Sequence, residues 1–302
     1  MNRNQSTGTL FAFGASFALA GSFVFSKSVL NHLSMVHFGL LWFTMGVAWN
    51  GVWFLIRREY RDLSTSFAPK IGVAMLIAIL EGAATGLFYM AINAMENPAV
   101  VSFIGNIGPV FVTIMGLTLL KERFRGVQLT GIVITIFGIF VINYRQGGFA
   151  GFLDPGSLYV IAASFLFSLA TIFGRRYRKF LQPGTMSLLR SSILALVMAL
   201  LFITGPEQGL LEIPGVVWRD LVLGSLLETL IVIVFAYQAL KLIEATRVSL
   251  VISSKGVWTL LLAWGFLGLF PTGFQLAGGI ITLLGVWLIT RPPSLYSSRI
   301  KR

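Results

Sequence analysis

Apolar residues run along this chain in stretches of about twenty, broken by short charged clusters, and twenty is the length at which a helix crosses roughly 30 Å of hydrocarbon. Ten such runs can be marked, near residues 8 to 26, 37 to 56, 70 to 92, 98 to 119, 127 to 144, 156 to 174, 185 to 204, 217 to 240, 246 to 268 and 273 to 290. Each is read as a membrane helix. The first run follows a single basic residue, Arg3, and has nine more hydrophobic runs behind it rather than a cleavage site and a soluble chain, so it is read as a retained helix.

Composition agrees with this pattern. Of 302 residues, 56% are hydrophobic and 11% charged, where soluble domains carry about 25% charge. Ten runs leave connectors of about 10 residues each, too short for a soluble domain. With no cysteine, disulfides, thiolate catalysis and cysteine-bound metals are excluded.

Orientation follows from Lys and Arg, which are retained on the cytoplasmic side. Alternate connections collect 18 of them on one side: Arg3; Arg57, Arg58, Arg61 and Lys70; Lys121, Arg123 and Arg125; Arg175, Arg176, Arg178 and Lys179; Lys241 and Arg247; and Arg291, Arg299, Lys301 and Arg302. The other side holds 3, Lys27, Arg145 and Arg219. Both termini are therefore expected in the cytoplasm of a multi-pass protein of the cell (inner) membrane. The net charge of +12 is spread over six short segments, which does not make the single basic surface that a nucleic acid needs.

The two halves of the chain resemble each other. Gly8 to Lys27 aligns without gaps on Gly156 to Arg175 at an offset of 148, so that Ala15-Ser16-Phe17 falls on Ala163-Ser164-Phe165. Tyr89 to Glu96 falls on Tyr237 to Glu244, and Gln128 to Gly138 on Gln275 to Gly285. Each half holds five runs. An odd number makes the second copy enter the membrane from the other side, the inverted-topology repeat of many transporters. The expected fold is therefore all-α integral membrane: ten transmembrane helices as two inverted five-helix repeats, residues 1–148 and 149–302, with both termini cytoplasmic.

The stretch Phe88 to Asn143 carries Tyr-x-Ala, a small-residue turn, a proline-containing helix, Lys121-Glu122, and then Gln-x-x-Gly in a glycine-rich helix. In this it resembles the drug/metabolite transporter superfamily, ten-helix EamA-type branch, over essentially the whole chain in two copies. The second copy departs from the first: Gly268-Leu269-Phe270-Pro271 stands where the first has Lys121-Glu122, and Arg190 is matched by Trp42. The resemblance implies a central cavity lined by runs 1, 3, 4, 6, 8 and 9 that opens alternately to each side.

Ionisable groups at membrane depth are costly and mark functional sites by default. Glu81 and Glu228 each lie about 11 residues into their runs and are repeat mates at an offset of 147. They read either as a proton- or cation-coupling pair or as interhelical hydrogen-bonding acids. Lys255 reads as a counter-ion to Glu228 or Glu81, as a ligand for a substrate carboxylate, or as half of a structural ion pair; if it holds Glu228 ionised, Glu81 is left as the proton carrier. Ser254, Lys255 and Trp258 fall on about one helical face, with Ser253 adjacent; Asn106 is close to their repeat mate, and Tyr89 belongs to the same candidate site. Pro109 removes a backbone donor and frees the carbonyl of Gly105, making either a binding notch or a packing kink.

Other features read as structural. Arg190, near the start of its run, can snorkel to the cytoplasmic face and serves structure or gating. Lys27 and Arg175 anchor helix ends, Gly82-x-x-x-Gly86 makes a close helix contact, and Trp42, Trp49 and Trp53 face lipid or the interface. Nothing points to an enzyme: His32 and His37 lack zinc spacing, no phosphate loop or nucleophile elbow occurs, and no cofactor or metal is expected. A site with both carboxylates and an ammonium suits zwitterions. The chain is read as a secondary transporter of small polar metabolites, exporting amino acids or similar zwitterions; the alternative is a proton-coupled organic-cation or drug exporter. Its partners would be a small-molecule substrate, the lipid bilayer and protons, as a monomer or homodimer, with no nucleic acid.

Overall fold

The computed structural model describes residues 3–60, 71–119, 126–142, 144, 154–177, 182–206, 213–243, 248 and 251–289. These form twelve α-helices and no strand: α1 (Arg3–Leu30), α2 (Met35–Ile56), α3 (Ile71–Ala94), α4 (Pro98–Ile104), α5 (Gly108–Leu119), α6 (Gly126–Ile142), α7 (Pro155–Tyr177), α8 (Pro183–Thr204), α9 (Gly215–Leu226), α10 (Val232–Leu242), α11 (Lys255–Leu267) and α12 (Gly273–Ile289). Six spans are long and apolar enough to cross a membrane, namely Gln5–Leu30, Met35–Ile56, Ile71–Ala94, Pro98–Gly116, Pro155–Phe173 and Gly184–Thr204. Three more, Leu129–Ile142, Val251–Leu267 and Gly273–Ile289, are shorter apolar helices. The basic connectors at 61–70, 120–125 and 178–181, with Lys121-Glu122, and the C-terminal Arg291, Arg299, Lys301 and Arg302 lie outside the described residues.

Helix starts follow local chemistry. Asn97 caps α4, its Oδ1 accepting from the Ala99 N–H at 2.9 Å, with Pro98 at the first helical position, where its missing N–H costs nothing. Arg58, after α2, takes φ 55°, a left-handed turn that bends the chain so that the Glu59 N–H reaches the Phe54 carbonyl. Glu59 then caps another helix: one carboxylate oxygen accepts from the Thr185 N–H at 2.8 Å and the Thr185 hydroxyl at 2.9 Å, satisfying an orphan donor at the start of α8. Gly268 ends α11 at φ 68°. That left-handed termination gives a backbone reason for glycine where the first half of the sequence has lysine.

Three interruptions divide otherwise continuous helices. A 3-10 turn, Gly105–Ile107, separates α4 from α5, and the Gly108 N–H takes up the Gly105 carbonyl. The carbonyl that Pro109 leaves without its usual donor is therefore not an open notch. At Ser254 the helix tightens again, with the Ser254 N–H bonded to Val251 O and the Val257 N–H to Ser254 O. Between α9 and α10, residues Leu227–Ile231 form a π-turn in which the Val232 N–H reaches back to the Leu227 carbonyl. Such turns recur at functional sites, and this one contains Glu228.

The strongest packing joins elements far apart in sequence: α6 with α12, α3 with α7, α2 with α8, and α1 with α9, α10 and α11. In the α6–α12 seam glycines let the two backbones approach closely, with the small side chains of Thr135 and Thr282 buried between them. A Cβ on Gly138 would lie 2.6 Å from the Thr282 nitrogen, one on Gly278 2.6 Å from the Gly138 oxygen, and one on Gly131 2.7 Å from the Gly285 oxygen. The neighbouring faces, with Val133, Phe137, Ile280 and Leu284, are exposed and apolar, as expected where lipid is the solvent. Gly82 and Gly86 make no such approach: Leu194 at 3.7 Å is the nearest atom for the first, and nothing lies within 4 Å of the second.

Candidate functional site

A buried charge cluster lies where α3, α8 and the π-turn meet. Arg190 in α8 donates through Nη2 to Oε1 of Glu228 at 2.8 Å, with side chains 11% and 9% exposed. Glu81 on α3 is within electrostatic reach of both, as is the buried Tyr89. One turn before Arg190, the Ser187 hydroxyl donates to the Thr229 carbonyl at 2.9 Å, which docks α8 on the π-turn. Trp42 is fully buried and packs edge-on against Tyr89 with centroids 5.6 Å apart, its ring end filling the space over Gly224.

This cluster corrects three expectations. Arg190 does not snorkel to the surface: α8 begins at Pro183, which puts it about 10 Å along the helix axis, and it turns inward to Glu228. It, rather than Lys255, is the counter-ion of Glu228; among the described residues no carboxylate pairs with Lys255. Trp42 faces the protein interior instead of lipid, whereas Trp49, half-buried, donates to the Ser225 hydroxyl at 3.2 Å and Trp53 lies against Arg57.

Much of the polar character here is unspent. Arg190 Nε, Glu228 Oε2, Thr85 Oγ1 and Ser191 Oγ are buried with no hydrogen-bond partner among the described residues, while Tyr89 OH lies within reach of Trp42 Nε1. Buried polar groups are normally bonded, and each left unpaired costs about 1–3 kcal/mol. Four such atoms around one ion pair mark this region as a candidate polar site.

Lys255, Ser254, Asn106 and Trp258 gather at a second place, around the breaks in the α4–α5 and α11 segments. The Lys255 Nζ would lie 3.9 Å from a Cβ on Gly105, where the Phe88 ring comes within 3.1 Å. The Ser254 hydroxyl donates to Val251 O at 2.6 Å and meets Ser16 Oγ of α1 at 3.1 Å. Trp258 packs edge-on against Phe17, 5.6 Å between centroids. Both amide atoms of Asn106, Ser102 Oγ and Trp258 Nε1 are buried without partners among the described residues. The seven residues singled out in sequence thus fall into two groups, with Phe88 and Tyr89 adjacent in α3 between them. Arg190, Trp42, Thr85, Ser191, Ser16 and Ser102 join them; the one signal for Arg190 was a cation inside an apolar run.

Elsewhere the buried Lys27 donates to the carbonyls of Ile92 and Asn93 at 3.1 and 3.3 Å, capping the end of α3. Ser28 donates to the buried Asp220 at 2.6 Å.

Compared with known proteins, the chain matches the EamA-like transporter family twice, over residues 6–144 and 154–291. It is 25% identical over 205 residues to the uncharacterized transporter YdfC of Bacillus subtilis (strain 168), an alignment covering 66% of this chain and 65% of that protein's length. A solved crystal structure shares its fold with a TM-score of 0.67 and 18% identity, over 98% of this chain and 99% of the other.

Proposed function

The chain belongs to the EamA-like transporter family, and from that premise we propose that it is a secondary transporter which exports amino acids or similar small zwitterions across the cell membrane by alternating access. The observation that carries the reading is the pair of buried polar groups: Glu81, Arg190 and Glu228 at one, Lys255 and Asn106 at the other. A zwitterion stripped of water needs an opposite charge for each end, and this interior offers both signs with unpartnered donors and acceptors around them.

Ten membrane helices in two inverted repeats belong to the same proposal. The 3-10 turn contains Asn106, and the tightened turn at Ser254 lies 148 residues later. Glu228 follows Glu81 by 147 residues, but Tyr237 follows Tyr89 by 148, so the second copy has one residue more in this interval. The π-turn at Leu227–Ile231 absorbs such an insertion within a helix. In each half the first helix also supports the interrupted helix of the other: Ser16 of α1 meets Ser254, and Ser168 of α7 donates to the Gly108 carbonyl at 3.1 Å.

Counterflow in proteoliposomes tests the function: vesicles loaded with an unlabelled mixture of amino acids should accumulate the labelled substrate, and vesicles loaded with buffer alone should not. Failure with every amino acid but accumulation with a quaternary amine would replace this reading with the organic-cation exporter, which the excess of carboxylates over guanidinium around Glu228 favours.

A further inference from the structure

The Arg190–Glu228 pair is only half made. A guanidinium offers a planar fork that matches both oxygens of a carboxylate, and bidentate pairing gives such contacts their strength. Here one bond joins the two groups, at 2.8 Å, while Arg190 Nε and Glu228 Oε2 remain buried without partners among the described residues. Glu81 on α3 acts on the same guanidinium electrostatically, without a direct ion pair, so one cation serves two acids from different parts of the chain. Unpartnered hydroxyls stand beside them, Thr85 one turn along α3 from Glu81 and Ser191 next to Arg190. The backbone is secured separately by the Ser187 bond to Thr229, so the position of α8 does not depend on the Arg190–Glu228 bond.

We infer that the Arg190 guanidinium is a tethered stand-in for the cationic group of the substrate: it holds the place beside Glu81 and Glu228 in the empty protein, and a substrate ammonium or guanidinium enters only by displacing it. This rests on the transporter reading above. A buried and a half-buried carboxylate side by side without a cation would be disfavoured, and the tether spares the empty protein that state. Lys255, set apart at the break beside Gly105, is left for an anionic group. The site therefore selects small molecules with an ammonium or guanidinium at one end and an acid at the other. A site filled by its own side chain most of the time also shows a reduced apparent affinity, in proportion to the fraction of time it is vacant.

Calorimetric titration of the full-length purified protein with propylammonium chloride tests this. R190Q should bind the probe about tenfold more tightly than the wild type, and the gain should vanish in R190Q/E81Q and in R190Q/E228Q. Equal or weaker binding by R190Q, or a gain that persists in both double variants, overturns the inference. If R190Q does not purify as a single species, R190K takes its place: with a charge but no fork it should bind the probe several-fold more tightly than the wild type, and equal or weaker binding again overturns the inference. The two readings separate cleanly. Counterflow without the binding gain removes the stand-in alone; the gain without counterflow removes the transport reading alone.

Discussion

Arg190 and Lys255 are both cations inside the protein, yet their removal should have opposite signatures. Arg190→Ala leaves Glu228, 9% exposed, without its partner, and breaking a buried pair from one side costs about 3–5 kcal/mol. A large fall in the melting temperature in detergent is the expected result. Lys255→Ala abandons no carboxylate among the described residues, so the protein should purify with a melting temperature close to the wild type's while its transport collapses. Glu81 has a different test. It has no direct ion pair among the described residues and lies within electrostatic reach of Arg190 and Glu228, which suits the acid that exchanges a proton. Glu81→Gln should flatten the pH profile of net flux between about pH 5.5 and 8.5 while leaving substrate exchange measurable; an unchanged profile removes Glu81 from coupling.

Among elements, the α6–α12 seam is the least tolerant of added atoms. Gly138→Val would drive a side chain into the Thr282 nitrogen, 2.6 Å from the new Cβ, and backbone cannot rotate away as a side chain can, so a loss of about 1–3 kcal/mol or more is expected. Gly86→Val, with nothing within 4 Å, should be close to neutral; thermal denaturation of the two variants side by side checks the contrast. Sequence spacing alone misassigns these glycines. Gly82 and Gly86 have the familiar four-residue spacing and make no close contact, whereas Gly131 and Gly138, seven apart, meet a partner helix that local pattern cannot name. The same limit governs the interruptions: Pro109 announces the turn at Gly105–Ile107, but the π-turn is built from LETLI, without glycine or proline, and shows only as a one-residue change in the offset between the halves. At the site, Glu81 and Glu228 were legible as candidates because each is an acid about 11 residues into an apolar run. The partner of Glu228 was not, because which cation reaches a buried acid depends on how α8 rotates toward the π-turn. One clue was present: Arg190 aligns with Trp42 just as Glu228 aligns with Glu81, and both pairs of counterparts meet in one cluster.

For the whole molecule the decisive question is which way it faces. The chain has no cysteine, so single cysteines can be introduced and probed with a membrane-impermeant maleimide without background. Cysteines after Asp154 and before Glu207 should react from outside the cell, and those beside Arg61 and Arg178 should not, given 18 basic residues on one side and 3 on the other. Reaction at Arg61 from outside would reverse the orientation and dismantle the inverted arrangement.

The glycine-lined seam between α6 and α12 also has a consequence in time. Its two sides, Gly131 to Gly138 and Gly278 to Gly285, are 147 residues apart in the chain, and at about 5–20 residues per second a ribosome needs roughly 7–30 s to make that interval. Throughout it α6 carries a groove shaped for a helix that does not yet exist. Nothing bulky can fill that groove permanently, because a side chain there would exclude the proper partner later, so the first half of the molecule must wait with a smooth, easily vacated surface until the last helix arrives.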